Sequence, residues 1–231
     1  MKKFAAMTVF AVSSLLASSL AQADTLGVNA GIDFWSTSHN GESVKKDGST
    51  YNPDFGTNFR PGVYIALEHP IPLIPNVMFR YQNLDTSGKA NGTNITSDQK
   101  MYDGVLYYQL FDNPAFGFDY GLNIKHFQGT VSGIGASKDY TKTMPTLYLA
   151  ANINIPMTGI QVFGNTSNVS FDGTRISDSE IGVSYDFLPL VVSTLQLRAG
   201  YRVLDMRLKD VENMNLEQTA QGWFMGIGAH F

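Results

Sequence analysis

The sequence predicts an all-β protein, a transmembrane antiparallel up-and-down β-barrel of about ten strands. Three observations lead to this fold. Short runs alternate at a period of two between large apolar residues and polar or small ones, which is the pattern of a strand with one apolar face. The last run ends on an aromatic residue, Phe231. The links between runs are alternately short and long, as they are at the two ends of a membrane barrel.

The last run is the most informative of these features. Its apolar face carries Trp223, Met225, Ile227, Ala229 and Phe231, with mostly small residues between them. No helix-forming segment covers this strand. A strand that ends on an aromatic residue is typical of the closing strand of an outer-membrane barrel. We therefore expect these residues to form the C-terminal assembly strand, and we expect the protein in the outer membrane of a Gram-negative bacterium.

Ten alternating runs can be followed along the chain. In order, they cover residues 26–34, 59–68, 77–82, 102–110, 116–125, 146–155, 160–171, 180–187, 195–203 and 222–231. The fifth run alternates most regularly and the seventh least, so eight strands remain an alternative to ten. Pro61 and Pro145 fall inside runs or at their start. Because proline removes a ladder donor, we expect both at barrel rims or bulges.

The links between the runs predict the orientation of the barrel. Short links cover residues 69–75, 112–115, 156–159 and 188–193, whereas longer polar links begin with residues 36–58 and 86–97 and recur between later runs. Short turns are typical of the periplasmic end, where both termini lie when the strand number is even. A soluble periplasmic β-sandwich would alternate in the same way, and it is disfavoured by the terminal aromatic strand and the unequal links.

The first 23 residues predict a secretory signal peptide. Lys2 and Lys3 precede an apolar segment, residues 4–20, and Ala21-Gln22-Ala23 is an A-x-A cleavage site. A membrane-anchor helix is the alternative, but the segment is short and interrupted by polar residues. Residues 24–231 would then form the barrel. The chain has no cysteine, which excludes a lipoprotein anchor, disulfides and thiolate metal sites.

The net charge and the hydropathy of the chain argue against general nucleic-acid binding and against a helical membrane protein. Two of the 16 basic residues lie in the leader, which leaves 14 against 20 acidic residues and a net charge of −6. A chain this acidic has no general attraction for nucleic acid. No segment after the leader has the length and apolarity of a membrane helix, whereas a barrel strand needs only about 9–11 residues.

Charged residues alternate with the apolar ones and are predicted to face the lumen. They are Asp33, Arg60, Glu68, Arg80, Asp103, Asp119, Lys125, Glu180, Asp186, Arg198 and Arg202. In a small barrel such residues pair and fill the interior, whereas larger barrels keep a water channel. Two interpretations follow, a structural ion-pair network and a narrow polar pore for small solutes.

The sequence predicts no catalytic residue, no metal site and no cofactor. The four histidines, His39, His69, His126 and His230, have no metal-ligand spacing, and no G-x-S-x-G motif is present. Omptin-like barrel proteases use acid pairs and a His-Asp pair at the outer rim, and the sequence offers no matching cluster. A rim-sited hydrolase and a surface binding protein, which would use the long first link with Tyr51, Phe55 and Phe59, are the alternatives to a non-enzymatic barrel.

Six segments distributed over nearly the whole chain after the leader carry a family resemblance. They are Glu68 to Asn76, Phe79 to Tyr81, Leu106 to Leu110 with Asp112 and Asn113, Pro156 to Gly159, Ala199 to Arg202, and His230 with Phe231. These segments resemble a proteobacterial family of small outer-membrane proteins of unknown function, the OmpW-like, GlyGly-associated type. The resemblance implies a β-barrel in contact with outer-membrane lipid and with the outer-membrane assembly machinery. It transfers no catalytic residue.

We predict that cleavage follows Ala23, because only Ala21-Gln22-Ala23 places small residues at both required positions. N-terminal sequencing of the membrane-extracted protein should begin at Asp24. Mature protein that retains residues 1–23 would contradict this prediction.

Overall fold

The computed structural model describes residues 26–46, 49–71, 73–90, 92–133, 137–189, 193–211 and 214–231. The predicted signal peptide and its cleavage site lie outside the described residues. No helix that could cross a membrane is found among the described residues. All of the regular structure that is described consists of β-strands.

Thirteen strand segments form one antiparallel sheet. They are β1 (Gly27–Lys46), β2 (Ser49–Tyr51), β3 (Asp54–Phe55), β4 (Asn58–Glu68), β5 (Asn76–Asn83), β6 (Thr86–Ala90), β7 (Thr93–Asp112), β8 (Phe116–Ser132), β9 (Lys138–Ile155), β10 (Ile160–Phe171), β11 (Thr174–Pro189), β12 (Thr194–Val211) and β13 (Met214–His230). Segments β5 and β6 lie end to end along β7, and β2 and β3 are short pieces that precede β4.

The sheet closes into a barrel of ten strands because β1 pairs with both β4 and β13. Val28 and Phe231 complete the seam by exchanging two backbone hydrogen bonds of 2.9 and 3.1 Å. The predicted fold class and the count of ten are thereby confirmed. The weakest predicted run is a true wall strand, β10, which pairs along its length with β11.

Around the half of the barrel that carries both chain termini, here called the lower half, the outer surface is a band of exposed apolar side chains. It includes Ile32, Ile65, Leu122, Ile181 and Ile227, each about half exposed or more. Aromatic side chains mark its outer boundary: Tyr201 packs edge-on against Trp223 with ring centroids 5.3 Å apart, and Tyr81 lies 5.3 Å from Tyr102. An apolar band with an aromatic girdle is the lipid-facing belt of a membrane barrel.

Above this girdle the outward face of the sheet becomes polar and the inward face becomes apolar. On β12 the outward residues change from Tyr201 to Asp205 and Arg207, while the inward residues change from Arg202 to Leu204. The other long strands change in the same way. The outer half of the barrel therefore has a polar exterior and an apolar interior, as expected for a barrel wall that stands in water.

Small inward residues make room for large side chains in this closed interior. A Cβ added at Gly31 would lie 2.5 Å from the Tyr64 ring, and one at Gly200 would lie 2.6 Å from Phe224. Tyr64 and Phe224 can therefore lie over the adjacent strand because the residue paired with each of them lacks a side chain.

The long outer links are mostly strand, so the expectation of long polar loops there was wrong. Strand β7 has 20 residues, about 65 Å of chain, which at the usual tilt is about twice the height of a 25 Å lipid belt. The alternation continues through these segments with its polarity exchanged. A search for apolar outward faces therefore ends each run at the membrane boundary.

The expectation that Pro61 and Pro145 mark rims or bulges was also wrong. Both lie in regular ladders, opposite Phe34 and Ile124. Each occurs just beyond the point where the pairing with the other neighbouring strand ends. The missing donor is therefore tolerated, because on that side the ladder has no partner for it.

We predict that arginine on the outward face of β8 is costly below the girdle and tolerated above it. Leu122→Arg should lower the free energy of unfolding in lipid by about 2–4 kcal/mol, because Leu122 lies in the belt. Gln128→Arg, six residues along the same face, should change it by less than about 0.5 kcal/mol. Denaturant titration in lipid vesicles measures both, and equal effects would contradict the position of the belt.

Candidate functional site in the barrel lumen

The barrel lumen is divided into three levels. In the middle lies a layer of charged side chains, here called the charge layer: Asp33, Arg80, Asp103, Lys125, Asp178, Glu180, Arg198 and Arg202. Above it, towards the outer end, apolar residues fill the interior and form the outer plug. Below it, a cavity opens at the end of the barrel that carries both termini, and is therefore periplasmic.

Lys125 lies at the centre of one half of the charge layer. Its Nζ atom lies 2.9 Å from Asp103 Oδ1 and 2.6 Å from Asp178 Oδ2. Arg202 donates two further hydrogen bonds to Asp178, of 2.9 and 2.8 Å, through its Nε and Nη2 atoms. This fork is the bidentate geometry in which arginine binds a carboxylate most strongly. All four side chains are almost completely buried.

Glu180 joins the other half of the layer. Arg80 donates to Glu180 Oε2 at 2.8 Å, and Arg198 lies 3.7 Å from Glu180 and 3.4 Å from Asp33. Asn165 donates to the second oxygen of Glu180 at 2.7 Å. Four basic and four acidic side chains therefore share the layer and balance each other.

Polar and aromatic neighbours fix the position of these charges. Arg202 donates to Gln82 at 3.1 Å and lies 4.9 Å above the Trp35 ring. Trp35 is itself held by a hydrogen bond from its indole nitrogen to the carbonyl oxygen of Gly222. Asn123 donates to Asp103 at 3.2 Å. The layer is thus a connected network in which most of the charged atoms have a partner, as buried charges require.

The outer plug is mainly apolar, with a fully buried polar side chain, Gln99, whose amide nitrogen lies 3.5 Å from the sulfur of Met206. Its largest fully buried members are Leu84, Ile95, Met101, Phe127, Ile176, Leu204, Met206 and Leu208. They come from four wall strands, β7, β8, β11 and β12, and from the link between β5 and β6, and they meet in one cluster. Among the described residues this cluster fills the lumen above the charge layer.

The periplasmic cavity has a volume of about 760 Å³. Its walls include the carboxylates of Glu68, Asp112, Asp119 and Asp186 and the phenols of Tyr64, Tyr107 and Tyr148. Tyr107 donates to Glu68 at 2.8 Å, and Gln196 donates to Asp186 at 2.8 Å. Arg198 lies at the inner end of the cavity, next to the charge layer, where its guanidinium stacks 4.5 Å from the Tyr64 ring and 4.8 Å from the Phe163 ring.

The structure distributes the charged residues of the sequence analysis over these levels. Arg80, Asp103, Lys125, Glu180, Arg198 and Arg202 lie in the charge layer, together with Asp33. Glu68, Asp119 and Asp186 line the cavity. Arg60 lies opposite Trp35 on β4, and its Nε atom is buried without a hydrogen-bond partner.

Two acidic residues of the lumen have positions that the sequence did not specify. Asp119 lies in the cavity, six residues along β8 from Lys125, and not in the charge layer. Asp178, which precedes the predicted eighth run of residues 180–187, takes a central place in the layer. The available signal was the period of two, which extends from Glu180 through Asp178 to Ile176.

The remaining predicted residues also have defined positions. Trp223, Met225 and Ile227 lie on the outward face of β13, between 55% and 70% exposed, and Phe231 follows at the seam. Phe55, named for a binding loop, is buried in the outer plug, and Tyr51 packs against that cluster. Phe59 is exposed on the outward face of β4.

The described histidines contact neutral groups. His69 lies 3.3 Å from the carbonyl oxygen of Pro75, His126 lies 2.8 Å from Thr143, and His230 lies 2.8 Å from Asn29. Within the described ranges, no three histidine or acidic side chains are placed to hold a metal ion. The side chain of His39 lies outside the described part of the chain.

Comparison with solved structures identifies the fold. The outer-membrane protease OmpT of Escherichia coli aligns over 93% of this chain and 99% of its own, with 10% identity and a TM-score of 0.50. The transport unit of the E. coli autotransporter AIDA-I covers 94% of this chain and 96% of its own, at 12% identity and a TM-score of 0.44. Ail, the attachment invasion locus protein of Yersinia pestis, covers 90% and 100%, at 13% identity and a TM-score of 0.42.

No family model and no curated protein sequence matches the chain. The fold therefore rests on the structure itself and on the likeness to OmpT. A closed antiparallel barrel with a lipid-facing belt and an aromatic girdle belongs in the outer membrane of a Gram-negative bacterium.

We predict that Arg202→Leu destabilises the barrel by about 3–5 kcal/mol, because it leaves one oxygen of the buried Asp178 without its partner. Arg207→Leu is the matched control on the same strand. Arg207 points outward, its side chain is 59% exposed, and it lies 3.1 Å from Glu217, so its loss should cost only about 0–1 kcal/mol. Unfolding in lipid vesicles measures both.

The double variant Arg202→Leu/Asp178→Asn should recover part of the lost stability, because it removes the carboxylate that Arg202→Leu leaves underpaired. If Arg202→Leu is as mild as Arg207→Leu, the charge layer is wet rather than dry.

Proposed function

We propose that this chain is a closed, non-enzymatic outer-membrane barrel with a structural role, rather than an open pore. The observation that carries the proposal is the blocked lumen. A solute moving along the barrel axis would have to separate the ion pairs of the charge layer and then cross the apolar outer plug. Both steps are unfavourable, because the first uncovers buried charges and the second brings polar groups into a dry interior.

The charge layer supports a closed barrel more strongly than a narrow pore. Lys125, the residue most central to the lumen, has no exposed surface and contacts two carboxylates at once. A charge that lined a water channel would retain exposed surface. The eight side chains of the layer carry four positive and four negative charges, and each of them has a partner of opposite sign.

The surroundings of the described histidines bear on the alternative of a rim-sited hydrolase. A rim-sited hydrolase would need a nucleophile or an activated water beside a general base. The described histidines bond to a backbone carbonyl, a threonine and an asparagine, and none of them is paired with an acid. The likeness to OmpT concerns the fold alone, and the activity in its name is not transferred.

Kinship with the OmpW-like family is part of this proposal, and contacts between two of its segments support it. Tyr107, within the segment Leu106 to Asn113, donates to Glu68 at the start of the proline-rich segment. Tyr108 donates to the carbonyl oxygen of Leu73 in the same turn at 3.0 Å. Two of the segments that carry the resemblance therefore contact each other at the periplasmic end.

We also propose that β13 is the strand that the assembly machinery recognises. Trp223, Met225 and Ile227 present an outward apolar face, and Phe231 bonds to Val28 at the position where the barrel closes. Assembly must finish at this seam, because unpaired backbone groups are very costly in lipid.

Planar-bilayer recording tests the closed barrel. Purified protein should show no steady single-channel conductance after insertion, whereas a porin added to the same bilayer should show it. Heat-modifiable gel mobility of the same preparation establishes that the barrel is folded. The variant Arg202→Leu should remain without conductance, because the outer plug persists above the weakened layer. A steady wild-type conductance whose ion selectivity changes in Arg202→Leu would overturn the proposal in favour of a pore.

A further inference from the structure

The periplasmic cavity has the features of a binding site rather than of a solvent-filled mouth. We propose that it binds a small organic cation that carries two or more amine groups. This inference goes beyond the closed barrel, because a ligand can enter and leave the cavity from the periplasm without crossing the membrane.

The size and position of the cavity allow such a ligand. Its volume of about 760 Å³ falls within the range of about 300–1,000 Å³ that is usual for small-molecule sites. The inner end of the cavity is closed by Arg198, Phe163 and Asn165, and its periplasmic opening is formed by the short turns at Pro114, Pro156 and Met157. The cavity is therefore a cup with a single open end.

The charge of the cup is unbalanced, in contrast to that of the layer above it. Glu68, Asp112, Asp119 and Asp186 line it, and no described lysine or arginine forms a salt bridge with any of them. Arg198 is the one cation in the lining, and its guanidinium is already engaged by Asp33 and Glu180. The cup therefore presents four carboxyl groups without a basic partner, which attract a cation from the periplasm.

The walls supply aromatic faces beside these carboxylates, and the free hydroxyl oxygen of Tyr148, which can accept a hydrogen bond from an ammonium group. Tyr107 and Tyr148 pack with ring centroids 6.1 Å apart and both line the cup. Tyr148 is only 5% exposed, yet its hydroxyl has no hydrogen-bond partner among the described residues, although buried phenols usually have one. Aromatic faces beside carboxylates are the surroundings in which proteins hold ammonium groups.

The geometry favours an extended organic cation over a metal ion. Metal binding needs several ligand oxygens that converge on one point, and the described residues contain no group of three acids or histidines close enough to do so. The carboxylates are instead spread over several strands around the cup. A chain with separated amine groups can contact two or three of them at once, while its methylene groups lie against the tyrosines.

Titration calorimetry with spermidine tests the proposal, with the full-length mature protein in a neutral detergent. The wild-type protein should bind one spermidine per barrel, and butylamine, with a single amine, should bind at least about fivefold more weakly. Raised salt should weaken spermidine binding, since the attraction is electrostatic. Magnesium alone should give no binding of one ion per barrel.

Three single-charge variants and one neutral variant locate the site. Asp119→Asn and Asp186→Asn should each weaken spermidine binding about fivefold, and Asp186 lies at the exposed mouth, where its replacement leaves the fold intact. Tyr148→Phe should weaken it about two- to tenfold, because only the hydroxyl is lost. Asp98→Asn is the matched control, since Asp98 is exposed on the outward face of β7 above the girdle and its loss removes the same charge.

Each result of these titrations either supports or overturns the proposed binding of an organic cation in the cup. Weaker binding in the cup variants with unchanged binding in Asp98→Asn supports the proposal. Absence of binding by the wild-type protein overturns it, as does equal binding by all four variants, which would place spermidine on the outer surface. Magnesium that displaces spermidine one for one at equal affinity would overturn the preference for an organic cation. None of these results depends on whether the barrel conducts.

Discussion

The pairing of β1 with β13 is the constraint on which the rest of the structure depends. In lipid every backbone donor and acceptor needs a partner within the protein, so the sheet must close. Closure at ten strands fixes a narrow interior, and the inward residues then have to share that limited space. Glycines opposite Tyr64 and Phe224 and the stacked guanidinium of Arg198 are consequences of this crowding.

The narrow interior explains why the charges of the lumen are arranged as they are. At the level of the belt the outward face is apolar, so polar residues must point inward if the wall is to alternate. Inside, water is scarce, and an unpaired charge is far more costly than a paired one. Four acids balanced by four bases satisfy both requirements. Lys125 between Asp103 and Asp178 is the tightest part of this arrangement, with distances of 2.9 and 2.6 Å.

Most of the fold could be predicted from the sequence, because alternation at a period of two is a direct consequence of strand geometry. All ten wall strands, including the weak β10, coincide with runs visible in the sequence. The strand lengths could not be read in the same way, because the rule of apolar residues outward holds only within lipid. Asp178 was missed for this reason: its outward neighbours Ser177 and Ser179 are polar, so the run seemed to have ended.

The division of the lumen into a neutral layer and an acidic cup depends on contacts between distant strands, such as that of Arg80 with Glu180, and no local pattern specifies such a contact.

Access to water accounts for the order of the three levels along the barrel. The outer plug contains Phe127 and Leu208 with no exposed surface, and no described charged side chain belongs to this apolar cluster. The middle level is polar and largely buried, and its charges are present in equal numbers. At the periplasmic end the described residues leave a cavity open to solvent, and there the exposed Asp112 and Asp186 can remain without basic partners because water screens them. Unbalanced charge is therefore stable only at the end of the lumen that exchanges solutes with the periplasm, and this is also the end where a cationic ligand would replace water at the least cost.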